Sequence, residues 1–270
     1  MSLQLDTLAY TNKLREIPPE HKLVFAIVTL AISLFTHPLV QILTALWMGV
    51  WTVVYARIPA GIYLKLLIFA SFFWLTSLPA LILNAVSIND LQKVLSDAWS
   101  GIILGQYYIY ISRSGSEQTL AIFTRALASV SCLYFLMLTV PFTDILQILR
   151  RLGCPILLTE LLLLMYRFIF ILLKTASELW TAQQSRDGYR TWRASMRSLA
   201  ILIGQLLKQT LKQYNQFSLG LEARGFRDEF RVWHPRRYRP SQRYLTEAIF
   251  GCAVLILLEL CRNAGIFNRI

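Results

Sequence analysis

Two short stretches place an arginine where a helix is expected to end. The first is Ser185-Arg186-Asp187, followed by Gly188, and the second is Ala223-Arg224-Gly225. A guanidinium at an exposed helix tip can form paired hydrogen bonds with a carboxylate in a partner's groove, a geometry that lysine does not match. The chemistry that these residues predict is therefore recognition of an acidic site on another protein.

Ordinary helix capping is a second interpretation of the same residues. Arginine in the last turn complements the negative end of the helix dipole, and a glycine just beyond it supplies a left-handed cap. On this interpretation Gly188 and Gly225 are the left-handed residues. Both interpretations fit the residues, and the repetition of one design at two helix ends favours docking of a partner.

Two amphipathic helices are expected to carry these tips. The first should begin at Pro155, because proline is tolerated in the first turn, and should run to about Gln184. The second should run from about Ala194 to Glu222. Apolar residues recur in each with the i, i+3, i+4, i+7 spacing of a helix face: Leu158, Leu161, Leu162, Met165, Phe168 and Ile169 in the first, and Leu199, Leu202, Ile203, Leu206 and Leu207 in the second.

The rest of the chain is typical of a membrane protein. Of the 270 residues, 56% are hydrophobic and only 16% are charged, against roughly 25% charged in an average soluble domain. Since roughly 20 apolar residues cross a bilayer, the sequence predicts five spans, with a helix starting at Pro18-Pro19 and a break at His37-Pro38. The spans are assigned to residues 23–36, 38–56, 66–89, 120–140 and 244–261.

The distribution of charge predicts the orientation. Residues 141–243 hold 17 of the 27 Lys plus Arg and seven of the 15 Asp plus Glu, so the positive-inside rule places this block in the cytoplasm together with the amino terminus. Residues 156–173 are apolar enough to cross, but they carry Glu160 and Arg167, which are costly at mid-bilayer. We therefore assign them to the membrane surface. Residues 98–112 are either interfacial or spanning, so six or seven spans remain alternatives.

Motifs for other classes of function are absent from the sequence. There is no Walker-type glycine loop, Gly-x-Ser-x-Gly, His-Glu-x-x-His or Cys-x-x-Cys, so we predict no catalytic residue, no metal site and no cofactor in this chain. A nucleic-acid partner is not expected, because the basic residues lie between long apolar runs. A membrane-embedded lipid or isoprenoid enzyme is one alternative, although Asp144, Asp187 and Asp228 form no Asp-x-x-x-Asp pair. A self-sufficient permease is another, although no repeated halves are found.

One family resembles this arrangement over nearly the whole chain. The order of spans, the run Leu162-Leu163-Leu164-Met165-Tyr166-Arg167-Phe168, residues 182–188 and 202–205, and Leu221-Glu222-Ala223-Arg224-Gly225-Phe226 resemble the integral T component of energy-coupling-factor (ECF) transporters. The likeness is greatest to the CbiQ type of cobalt uptake systems. Asp187 departs from the family pattern, in which glycine is frequent at this position.

The resemblance implies a coupling role in an ECF-type ABC importer. Two ABC ATPase subunits would bind ATP and dock on Ser185, Arg186 and Asp187 and on Ala223, Arg224 and Gly225. A membrane subunit of the CbiM/CbiN type would bind the substrate, which would be cobalt or nickel. A T component shared among vitamin carriers is the alternative.

The expected fold is an all-α polytopic protein of a prokaryotic inner or cell membrane. The expected domains are a membrane domain at residues 1–140, a cytoplasmic coupling domain at 141–243 and a final transmembrane helix at 244–270.

Overall fold

The computed structural model describes residues 2–87, 98–104, 107–223, 225, 238 and 241–263. They fall into two compact units, one of residues 1–144 with 236–270 and the other of residues 145–235. The helices of the first unit are α1 (Ser2–Thr11), α2 (Pro19–Phe35), α3 (Pro38–Val50, continued by a π-helical turn at Trp51–Tyr55), α4 (Ala60–Ile82), α5 (Arg113–Thr139) and α9 (Gln242–Asn263). Helix α6 (Phe142–Arg151) links it to the second unit, which contains α7 (Ile156–Gln184) and α8 (Trp192–Ala223).

Prolines set the starts of the helices, as the sequence predicts. Pro18 is the cap of α2 and Pro19 its first residue, while Pro38 begins α3 directly after His37. Proline is favoured at these positions because the first amides of a helix have no partner within it. Pro155 caps α7 in the same way, so all three predicted helix starts are confirmed.

A small sheet follows α4. Strands β1 (Leu83–Ser87), β2 (Ala98–Leu104) and β3 (Tyr107–Ser112) pair antiparallel in the order β1-β3-β2. The third predicted span corresponds to α4, which begins earlier than predicted, at Ala60, and gives way to a strand after Ile82. Residues 98–104 and 107–112 form strands β2 and β3 and not a membrane-spanning helix. Strands of seven and six residues in an open sheet are too short to cross a bilayer, which takes 9–11 residues per strand in a closed barrel.

Helix α5 lies at the centre of the first unit, packed against α2, α3 and α4. Phe135 of α5 is 1% exposed, and its ring lies 5.6 Å from Phe25 of α2 and 6.4 Å from Trp51. Lys22 of α2 is buried and donates from Nζ to the Thr139 carbonyl at 3.1 Å. This carbonyl belongs to the last turn of α5, where the helix dipole favours a cation.

Helices α2 and α9 run parallel and begin at the same end of the bundle. Thr29 Oγ1 lies 3.9 Å from Cys252 Sγ, and just beyond the end of α2 His37 pairs with Glu259, which lies later in α9. Helix α7, whose first part the sequence assigns to the membrane surface, is itself long and apolar enough to cross a bilayer.

Five helices of the described chain are long and apolar enough to cross a membrane: Pro38–Tyr55, Ala60–Leu78, Gly115–Thr139, Ile156–Gln184 and Gln242–Arg262. Four of them correspond to predicted spans. The first predicted span is α2, which has 17 residues, at the short limit for a crossing helix. The prediction of a helical, polytopic membrane protein is confirmed.

Candidate functional site

Helices α7 and α8 form an antiparallel hairpin. Gln183, near the end of α7, donates from Nε2 to the Ser198 carbonyl of α8 at 3.1 Å. At the other end, the rings of Phe168 and Phe217 lie 6.3 Å apart. The end of α7 thus contacts the early part of α8, and an earlier part of α7 contacts the later part of α8. The two helices therefore run in opposite directions. Arg186 lies in the turn that joins them.

Side-chain hydrogen bonds hold this turn in one conformation. Tyr189 Oη donates to Gln183 Oε1 at 2.6 Å, and the Tyr189 ring stacks on Trp180 at 4.2 Å. Ser198 Oγ donates to the Gly188 carbonyl at 2.8 Å. These partners come from both helices, so the end of α7 and the start of α8 are fixed to each other beside Arg186.

The left-handed residue of this turn is Asp187, with φ 54°. The prediction that Gly188 takes this role is wrong. Aspartate is among the few residues that adopt this conformation readily, which allows the departure from glycine at this position. Gly188 is required for a different reason: a Cβ there would lie 2.8 Å from both Gln183 O and Ser198 Oγ.

The second tip follows the end of α8 at Ala223. Gly225 has φ 65°, and its N–H donates to the Glu222 carbonyl at 3.0 Å, so its predicted role as the left-handed cap is confirmed. Arg224 lies outside the described residues. The third residue of each tripeptide, Asp187 or Gly225, therefore has the same left-handed backbone.

Every described residue of the two tripeptides is exposed, namely Ser185, Arg186, Asp187, Ala223 and Gly225. No acidic side chain in the described part of the chain is paired with Arg186. The tips lie at opposite ends of α8, whose 32 residues span about 48 Å at 1.5 Å per residue.

Arg167 is an exposed residue of α7 that contacts α8. Its guanidinium carbon is 5.7 Å from the centre of the Phe217 ring of α8, a cation–π distance. This contact joins the two helices near the end opposite Arg186. In the described residues, no group of three or more His, Cys, Asp or Glu side chains is placed to hold a metal ion.

Sequence reasoning did not identify Gln183, Tyr189 and Ser198 as parts of the site. They meet because two helices pack together, and their positions follow no local period. The one sequence feature that could have indicated them is that Gln183 and Ser198 are polar residues near the helix ends. Gln183 bonds to both helices, so it connects the turn to α8.

The sequence model of one protein family, described as CbiQ cobalt transport protein, matches residues 10–232. The chain belongs to this family. The CbiQ cobalt transport protein of Salmonella typhimurium is 28% identical over 231 residues, which cover 84% of this chain and 99% of that protein. The CbiQ cobalt transport protein of Rhodobacter capsulatus is 33% identical over 179 residues, which cover 66% of this chain and 73% of that protein.

A longer relative joins this family to a second protein. The putative fused cobalt transport protein CbiMQ of Methanocorpusculum labreanum is 26% identical over 223 residues, which cover 82% of this chain but 36% of that protein. Family membership and the long apolar helices together establish this chain as a multi-pass membrane component of the CbiQ cobalt transport family. The resemblance found in the sequence is confirmed.

Proposed function

We propose that this chain is the coupling subunit of an ECF-type cobalt importer, docking one ABC ATPase at Arg186 and another at Arg224. The observation that carries the proposal is that the third residue of each tripeptide has a left-handed backbone, with φ values of 54° and 65°, at opposite ends of α8. Capping of α7 and α8 could be done by two unrelated turns. A left-handed third residue in both tripeptides favours two equivalent binding sites.

The rigid turn suits a mechanical role. Hydrogen bonds of Gln183, Tyr189 and Ser198 fix the backbone on both sides of Arg186. Binding of a partner at Arg186 therefore costs little backbone conformational entropy. An ATPase that pulls on this tip moves α7 and α8 together. Because α8 is one uninterrupted helix, displacement at one tip is transmitted to the other.

A CbiM-type membrane subunit is the proposed source of the substrate. The fused CbiMQ relative carries a CbiQ part and a CbiM part, by its name, in one chain. We infer that this chain assembles with a separate CbiM-type subunit, that cobalt binds to that subunit, and that the ATP-driven motion of α7 and α8 reaches it through the membrane helices. Coupling then requires that ATP binding and substrate release favour the same arrangement of the complex.

Substitution of Arg186 tests the docking role. We expect Arg186→Ala to reduce retention of co-expressed ATPase subunits in a pull-down and to reduce radioactive cobalt uptake, because a charge-assisted hydrogen bond contributes about 1.5–3 kcal/mol. Arg186→Lys should recover only part of the loss, since lysine lacks the paired donors.

Lys208→Ala is the matched control. Lys208 is an exposed cation in the middle of α8, about 24 Å along the helix from its start, so its removal changes the net charge equally without touching a tip. Full ATPase retention by Arg186→Ala, or equal losses in the Arg186 and Lys208 variants, would refute docking at this tip.

A further inference from the structure

A groove between α2 and α9 opens on the side of the first unit. Its volume is about 580 Å³, and apolar side chains line most of it, among them Val24, Val28, Ala248, Ile249 and Ile256. This volume lies within the range of roughly 300–1,000 Å³ that is usual for small-ligand sites. A partner helix about 10 Å in diameter would fill it with fewer than two turns, so the groove fits a small amphiphile better than a polypeptide.

A second cavity of about 550 Å³ adjoins the groove and is polar. Its lining includes Lys13, Arg15 and Glu16 from the turn between α1 and α2. The two cavities share Ile17, Ser241 and Tyr244. They therefore form one site with an apolar limb along the helices and a polar limb with a net positive charge.

The polar limb lies where α2 and α9 begin. Since the two helices run parallel, their first residues are at the same membrane surface, and Ser241 directly precedes α9. Lys13 and Arg15 are exposed, while Leu14 between them is 1% exposed and anchors the turn. The Lys13 N–H also donates to the Ala56 carbonyl at 3.2 Å. The two cations are thus held on a fixed backbone at the end of the bundle where α2 and α9 begin.

We propose that this two-limbed cavity binds one anionic phospholipid, with the phosphate at Lys13 and Arg15 and an acyl chain between α2 and α9. The charge of the polar limb is complementary to the phosphate, and the apolar limb runs in the direction of the acyl chain. Basic residues near an anionic membrane surface each contribute about 1 kcal/mol. The site is independent of the arginine tips, because none of its residues belongs to α7 or α8.

Lipid retention tests the headgroup limb. The full chain is purified in detergent, equilibrated with equal amounts of phosphatidylglycerol and phosphatidylcholine, and analysed by native mass spectrometry. Wild type should retain phosphatidylglycerol preferentially, and Lys13→Gln with Arg15→Gln should lower this preference about thirtyfold, at about 1 kcal/mol for each cation. The control is Arg57→Gln with Lys65→Gln, which removes two exposed cations at the same end of the bundle and should leave the preference unchanged.

Ala253 tests the acyl limb, since it is exposed and lines the groove. Ala253→Trp should fill the groove and abolish retention of phosphatidylglycerol. A photo-crosslinking residue at the same position, activated in native membranes, should give a lipid adduct. Equal retention of the two lipids by wild type, an unchanged preference in the Lys13 and Arg15 variant, or a polypeptide adduct in place of the lipid would overturn the proposal.

Discussion

Gly188→Ala and Gly204→Ala are the same chemical change, and we expect them to have opposite effects. A Cβ at Gly188 would lie 2.8 Å from both Gln183 O and Ser198 Oγ, whereas a Cβ at Gly204, in the middle of α8, would meet no atom within 4 Å. Neither glycine has a positive φ. The expected difference therefore comes from the space around the added methyl group.

The magnitude follows from the hydrogen bonds at the turn. In Gly188→Ala the methyl group forces apart the Gly188 N–H···Gln183 O bond of 3.0 Å and the Ser198 Oγ···Gly188 O bond of 2.8 Å. Each hydrogen bond contributes about 1 kcal/mol to the free energy of unfolding. Alanine loses less conformational entropy than glycine on folding, which offsets about 0.5–1 kcal/mol of this loss. The free energy of unfolding should therefore fall by about 1 kcal/mol. Gly204→Ala should gain about 0.5–1 kcal/mol, because alanine is the better helix former.

Amide hydrogen exchange measures both effects in one experiment. We expect exchange in peptides covering residues 181–200 to become about fivefold faster in Gly188→Ala, and exchange around residue 204 to slow by about two- to fivefold in Gly204→Ala. Only Gly188→Ala should also lower ATPase retention, since it disturbs the backbone that presents Arg186. Unchanged or slower exchange at the turn in Gly188→Ala would refute the close packing inferred here.

Two further substitutions test the membrane helices, each by thermal unfolding in detergent. A Cβ at Gly251 would overlap the Trp47 ring, so Gly251→Leu should lower the free energy of unfolding by about 1–3 kcal/mol. An unchanged melting temperature would contradict this contact between α3 and α9. Gln41 is 1% exposed, donates to two carbonyls at the end of α2 and accepts from Thr124. Gln41→Leu leaves these groups without that partner and should lower the free energy of unfolding by about 3 kcal/mol. The control, Gln118→Leu at an exposed position of α5, should change it little. Equal losses in the two variants would count against the buried network.

Local signals predicted much of the helical framework. Helix α7 ends at Gln184 as expected, and α8 begins at Trp192, two residues before the predicted start. Proline, glycine and the helical period act over a few residues, so they can be recognised without knowledge of the fold. After α4 the sequence indicates only that the chain becomes more polar, with Asn84 and Ser87 among residues 83–87. The pairing of this segment with β3 is not a local property, because it depends on residues 20 or more positions away.

The sequence by itself determined that this is a helical membrane protein with an arginine at each of two helix ends, because hydrophobic length and helix periodicity are local properties. The tertiary structure decided that Asp187 is the left-handed residue, because the close approach of Ser198 to Gly188 sets the shape of the turn. It also decided that Lys13 and Arg15 lie beside the start of α9, more than 220 residues away along the chain. Such contacts come from the packing of whole helices, which no short stretch of sequence encodes.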